Sequence, residues 1–112
     1  MQFKINDVSD IAILIRATRK AAHMRIDDLA ATAGLSKQFV GDVETAKPTV
    51  QLARVLQLMN ELGVHMYIDV PKDAEAQIAK QREHVHMRSS QRMATTQKRR
   101  LKRSKPIIKV EP

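Results

Sequence analysis

From Ser9 onward, apolar residues recur at helical intervals as Ile11, Leu14, Ile15 and Ala22, with Arg16, Arg19 and Lys20 as the polar interruptions. This predicts a first helix with Ser9 as its N-cap. A second short helix is predicted over about 26–33: Asp27 and Asp28 occupy the first turn, where the helix dipole favours acids, Leu29, Ala30 and Ala33 face inward, and Gly34 ends it. Ser36 caps a third helix running to about Thr45, with Val40 and Val43 inward and Pro48 closing the segment. Thr49 caps a fourth, whose apolar side carries Val50 or Leu52, Val55, Leu56, Met59 and Leu62 up to the stop at Gly63.

Past Gly63 the period changes. Met66, Ile68 and Val70 alternate with His65, Tyr67 and Asp69 as far as Pro71, which predicts a strand over 65–70. A lone strand leaves backbone groups unpaired, so it needs a partner. Residues 2–5, a short strand with Phe3 and Ile5 on one face, and the same strand of a second subunit are both candidates. Residues 72–86 keep a weak helical pattern through Ala76, Ile78 and Ala79. From Met87 the chain is basic and short of large apolar residues until Ile107, Ile108 and Val110, and reads as disordered or dependent on a partner for structure. The expected organisation is a mainly α domain over 1–71 and a basic extension over 72–112.

Charge divides along the same line. Residues 1–79 hold nine Lys or Arg against ten Asp or Glu, whereas 80–112 hold eleven against two. The front part must therefore bind through placed side chains, while the basic end can attract phosphates without regard to sequence. Its run of Lys98, Arg99, Arg100, Lys102, Arg103 and Lys105 fits nucleic acid, an acidic protein or a merely solvated end. It also resembles a nuclear-import signal.

With no cysteine in the chain, disulfides and thiolate metal sites are excluded. His84 and His86, with only Glu83 beside them, make a poor metal site and read as solvated surface, and Met59 and Met66 read as core packing. No cofactor is expected. No motif pairs a nucleophile with a base and no glycine-rich phosphate loop is present, so the chain does not read as an enzyme. No apolar run approaches the length of a membrane span, and the acidic start is unlike a signal peptide, so the expected location is the cytoplasm, at the bacterial nucleoid.

The segment from Ile26 to Thr45 carries the function. Two helices joined by a tight turn need a small residue where they approach, a glycine in the turn and apolar residues that lock the second helix, and Ala30, Gly34, Val40 and Val43 fill those places. Lys37, Gln38, Gly41 and Asp42 then project outward from the second helix, where a DNA major groove would lie. Lys37 can donate to guanine and Gln38 can pair with adenine. Asp42 can accept from cytosine or repel wrong bases, and Gly41 fits a close approach to DNA or a simple loss of side chain.

The stretch MRIDDLAATAGLSKQFVGDVETAKP resembles the helix-turn-helix of the phage-repressor and Cro-like proteins, the XRE family, over about residues 10–63. The resemblance implies a λ-repressor-like domain of four to five helices. It also implies a structural pair between Arg19 and Glu44. The family's glutamine at the start of the second helix is replaced by Ile26 and its hydroxyl cap by Arg25, so that Arg25 takes over part of the phosphate clamp. The candidate DNA-contacting set is Arg25, Ser36, Lys37, Gln38, Phe39, Gly41, Asp42, Thr45 and Lys47. Four helices followed by ELGVHMYIDV look like the HipB-type antitoxins, which implies a homodimer joined through Met66, Ile68 and Val70, double-stranded operator DNA, autoregulation and a HipA-like kinase toxin as partner. A stand-alone phage-type regulator without a toxin, and a protein-interaction module whose basic tail binds RNA, stay open as alternatives.

Overall fold

The computed structural model describes residues 1–108, with side chains described as far as Lys102. Its helices are α1 (Val8–Ala21), α2 (Ile26–Ala33), α3 (Lys37–Glu44), α4 (Leu52–Leu62) and α5 (Glu75–Ile108), with a 3-10 turn at Lys72–Ala74. Two units make up the chain, one over Met1–Tyr67 and another beginning at Ile68.

In the first unit, α1 to α4 enclose one core. Ile15 from α1, Leu29, Ala30 and Ala33 from α2, Val40 and Val43 from α3, and Val55, Leu58 and Met59 from α4 form its centre. Ile11, Met24, Ile26, Leu35, Phe39, Val50, Leu62 and Val64 pack around it. The buried stripe of α4 is Val55, Leu58, Met59 and Leu62, at the i, i+3, i+4, i+7 spacing of one helix face. That corrects the sequence reading, which leaves out Leu58 and places Leu56 inside, and of its two alternatives Val50 and Leu52 it is Val50 that packs on the core. Leu58 is fully buried, whereas Leu52 and Leu56 are 63% and 45% exposed. Ala22, expected inward on α1, is exposed as well.

Helix starts differ from expectation in two places. α1 begins at Val8, with Asp7 and not Ser9 as N-cap. Asp7 accepts from the backbone N–H groups of Ser9 and Asp10, and the Asp10 carboxylate accepts in return from those of Asn6 and Asp7. Ser9 has no acid or amide three residues on to complete such a reciprocal box, so Asp7 satisfies more donors. The Ser9 hydroxyl instead donates to Asp7, and these bonds hold the Asp7 carboxyl below the usual carboxylate range. α4 begins at Leu52 with Gln51 as N-cap, later than Thr49, because Val50 is turned onto the core before the helix starts.

The four helices of this unit share one kind of ending. After α2 and α4, Gly34 (φ 70°) and Gly63 (φ 73°) adopt the left-handed conformation. His23 (φ 55°) and Ala46 (φ 63°) do the same after α1 and α3. In each case the left-handed residue donates its N–H three residues back and the next residue donates five back: His23 to Lys20 and Met24 to Arg19, Gly34 to Ala31 and Leu35 to Ala30, Ala46 to Val43 and Lys47 to Asp42, Gly63 to Asn60 and Val64 to Met59. These paired bonds satisfy the last free carbonyls of each helix. The residue that follows the left-handed one, namely Met24, Leu35 or Val64, then packs against the core, and only Lys47 does not.

Two expectations for the C-terminal part are corrected. Among the described residues there is no β-strand, and 65–70 is irregular chain in which Met66, Tyr67, Ile68 and Val70 are exposed. A strand exists only as part of a ladder, and residues 2–5 are irregular too, so no ladder forms. The second is that helix continues through Met87 and on to Ile108, where the sequence reads as disordered or dependent on a partner for structure. Between Glu75 and Ser104 there is neither glycine nor proline, and Ala, Gln, Arg, Lys and Met, all strong helix formers, dominate. Every side chain from Glu75 to Lys102 is exposed. The side chains of Arg103, Lys105, Ile107 and Ile108, and the whole of Val110, lie outside the described residues.

Candidate nucleic-acid interface

α2 and α3 meet across the turn at Gly34 to Ser36, and α3 is fixed from several directions. Ser36, its N-cap, accepts from the Phe39 N–H at 3.0 Å. Its inward face, Val40 and Val43, is buried, and Phe39 is half-buried against the same core. Phe39 therefore sits among the packing residues and not among the fully exposed ones. Behind the turn, Gln57 of α4 donates its Nε2 to the Ala33 carbonyl at 2.6 Å, tying the end of α2 to α4.

The far end of α3 is held by charge. Arg19 of α1 donates Nε and Nη2 to the two carboxylate oxygens of Glu44 at 2.7 and 2.8 Å, and Nη1 to the Met24 carbonyl at 2.9 Å. Side-chain exposure is only 12% for Arg19 and 4% for Glu44. The hydrogen bonds to Glu44 raise the Arg19 pKa above its ordinary value, with burial opposing them. Such a forked, desolvated pair fixes orientation as well as distance.

What remains outward is the row at the start of α3. Lys37 and Gln38 are exposed, as is Ser36 beside them. Lys37 Nζ stands 3.0 Å from Asp27 of α2, both side chains being about half exposed or more. Gln38 donates to Asp42 Oδ1 at 3.0 Å one turn on, and Lys47 Nζ lies 3.6 Å from Asp42 Oδ2. Asp42 is half-buried between them and so holds both an amide and an ammonium in place. Thr45 is exposed, with its hydroxyl donating back to the Gly41 carbonyl at 2.9 Å. Arg25 is exposed at the N-cap of α2, where its side chain makes no capping bond.

Gly41 does not owe its identity to internal crowding. A Cβ built there meets only the Ile26 Cδ1, at 4.0 Å, an ordinary contact. The sequence reading did not find Gln57 or the cross-links made by Asp42 and Asp27, because a polar residue at an exposed position carries no periodic signal of its partner.

Two helices locked at a turn, with the second presenting its N-terminal residues to solvent, form a helix-turn-helix, and comparison with known proteins agrees. A helix-turn-helix family profile matches residues 15–68. The HTH-type transcriptional regulator y4mF of Sinorhizobium fredii is 39% identical over 71 residues, covering 63% of this chain and 93% of that protein. The chain belongs to the XRE-type helix-turn-helix transcriptional regulators. Solved structures resemble this regulator in fold: a single-residue variant of HipB in complex with an O2 20mer aligns with a TM-score of 0.59 at 17% identity, over 64% of this chain and all of that one. HipB in a complex with HipA, O2 and O3 gives a TM-score of 0.58 at 17% identity, over 63% of this chain and all of the other. No helix among the described residues is long and apolar enough to cross a membrane.

Proposed function

We propose that this DNA-binding regulator is a dimeric repressor that reads a palindromic operator with Lys37 and Gln38, and that it is the antitoxin of a toxin–antitoxin operon, repressing its own genes and binding a HipA-like kinase. The observation that carries the operator reading is the contrast along α3. Its far end is clamped by the buried Arg19–Glu44 pair, while its first turn stands free in solvent with an amide and an ammonium held at fixed positions. Rigid support behind and exposed donors in front is what base readout in a major groove requires. Arg25, Ser36, Thr45 and Lys47 surround that row as phosphate contacts, with Gly41 admitting the duplex closely and Asp42 setting the posture of Gln38.

The dimer reading is supported by apolar surface that the single chain leaves open. Leu56, Met66 and Tyr67 border one groove together with Met59 and Val64, and Ile68 and Val70 follow on an exposed irregular segment. Pairing Met66 to Val70 with its copy would satisfy those backbone groups and bury that surface symmetrically. The antitoxin reading is supported by the likeness in fold to HipB, which is solved with both DNA and HipA. A regulator without a toxin is the second reading, favoured by the name of the relative y4mF, which mentions transcription alone.

Binding titrations of the chain and of Gln38→Ala on the DNA upstream of its own gene, against a scrambled duplex, test the operator reading. The substitution is expected to cost roughly 1–3 kcal/mol on the operator and little on the scrambled duplex. Equal weakening on both would dismiss Gln38 as a base reader. Co-purification with the product of an adjacent kinase-like reading frame tests the antitoxin reading, and a complex that never forms with that product removes it.

A further inference from the structure

The unit that carries the helix-turn-helix has little net positive charge. Its acids and bases nearly balance, and of the cations around the turn Arg19, Lys37 and Lys47 are paired with Glu44, Asp27 and Asp42, while Arg25 is exposed. α5 is the opposite. Lys80, Arg82, Arg88, Arg92, Lys98, Arg99, Arg100 and Lys102 are all exposed, against Glu75 and Glu83, and among the described residues no carboxylate lies within ion-pair distance of any of them.

Their spacing is ordered. Intervals of four and seven residues place Arg88, Arg92 and Arg99 along one stripe of the helix, and Arg82 and Arg100, separated by eighteen residues or about five turns, share a second line roughly 100° away. Lys102 flanks the arginine stripe on its opposite edge, with Lys98 a little further round. From Arg82 to Arg100 the helix advances about 27 Å, a length over which duplex DNA carries on the order of 16 phosphates at one per ~1.7 Å.

The same helix is poorly made for other partners. Ile78, Val85, Met93 and Leu101 recur at intervals of seven, eight and eight, which carries them progressively around the helix, so no continuous apolar seam exists for a coiled coil or a protein groove. The phenylalanine and tyrosine residues of the chain are Phe3, Phe39 and Tyr67 and there is no tryptophan, so α5 offers only the small imidazoles of His84 and His86 as rings on which single-stranded bases would stack. With every side chain from Glu75 to Lys102 exposed, the charges of the helix are open to a partner.

We infer that α5 is a second, sequence-independent binding element for duplex DNA, its Arg88–Arg92–Arg99 stripe lying along phosphates and adding electrostatic affinity to that of the nearly electroneutral helix-turn-helix unit. This stands apart from the operator reading, because it concerns any duplex.

The test uses the full chain on a duplex without operator sequence, with affinity measured across a salt series. Replacing all three arginines (Arg88→Gln, Arg92→Gln, Arg99→Gln) should flatten the plot of log K against log salt by about 0.9 per lost contact, or roughly two to three in all. The matching triple change to lysine should keep most of the slope, and circular dichroism should show α5 intact in both, glutamine being a good helix former. An unchanged slope in the glutamine variant overturns the inference. So does a loss confined to single-stranded RNA with duplex binding retained. Gln38→Ala run in parallel separates the two readings, since loss of operator preference leaves this slope untouched.

Discussion

Arg19 holds Glu44 by both carboxylate oxygens while its remaining Nη1 reaches the carbonyl of Met24, so one guanidinium joins the body of α1, the end of α3 and the turn between α1 and α2. With both side chains almost fully buried, removing one partner strands the other's charge. Glu44→Ala should therefore destabilise the domain by about 3–5 kcal/mol in urea or thermal unfolding. Asp27→Ala, which breaks the exposed pair with Lys37 and removes one of the two first-turn acids of α2, should cost only about 1 kcal/mol. Similar losses in the two variants would mean that the buried pair does not hold α3.

Ala46 and His23 occupy left-handed positions that α2 and α4 give to glycine. A side chain there costs about 1–2 kcal/mol, part of which a glycine returns through its freer unfolded chain. Ala46→Gly and His23→Gly should each raise stability by up to about 1 kcal/mol, read as a higher denaturation midpoint at constant m-value. A fall in either variant would show that Cβ contacts outweigh the strain.

Gly41 offers a way to separate stability from binding. Alanine fits its surroundings and favours helix by about 1 kcal/mol. Gly41→Ala should thus melt higher while binding its operator more weakly, as expected if the duplex approaches α3 at that point. Higher stability with unchanged affinity would leave the glycine without a role at the interface.

Ile68→Pro removes a backbone donor from the proposed dimer strand. Mass in solution should shift toward monomer and affinity for a palindromic site should drop, whereas affinity for a half-site should change little. A variant that stays dimeric at full affinity would place the dimer contact elsewhere, with the exposed Leu52 and Leu56 of α4 as the next residues to replace.

Sequence alone conveyed the helix-turn-helix well, because its signals are local. Ser36 as cap, Gly34 and Gly63 as left-handed stops, and the 3.6-residue recurrence of Val40, Val43, Val55 and Met59 each act within a turn or two. The Arg19–Glu44 pair came from family resemblance, since nothing in spacing alone joins residues so far apart. His23 and Ala46 were illegible for the converse reason: both are ordinary in composition, and only the packing of Met24 and the bonds back to Arg19 and Asp42 force them left-handed. Leu58 was missed in favour of Leu56, which lies about 100° from Val55 on the helix, because both leucines fit an apolar pattern and only the neighbouring helices choose between them. α5 was underestimated because low hydrophobicity argues against a packed core, and a solvated helix needs none.

Exposure along α5 also sets where this regulator is open to attack. A helix with no buried side chain opens locally at little free energy, whereas backbone around Arg19 or Lys37 is freed only when the four-helix unit opens. A protease that cuts after basic residues should accordingly reach Lys80, Arg82 or Arg88 long before it reaches α1 to α4. The first nick would part the cationic segment from a nearly electroneutral remainder that still holds α3 in position, so limited digestion would convert a tenacious binder into a selective one before destroying it.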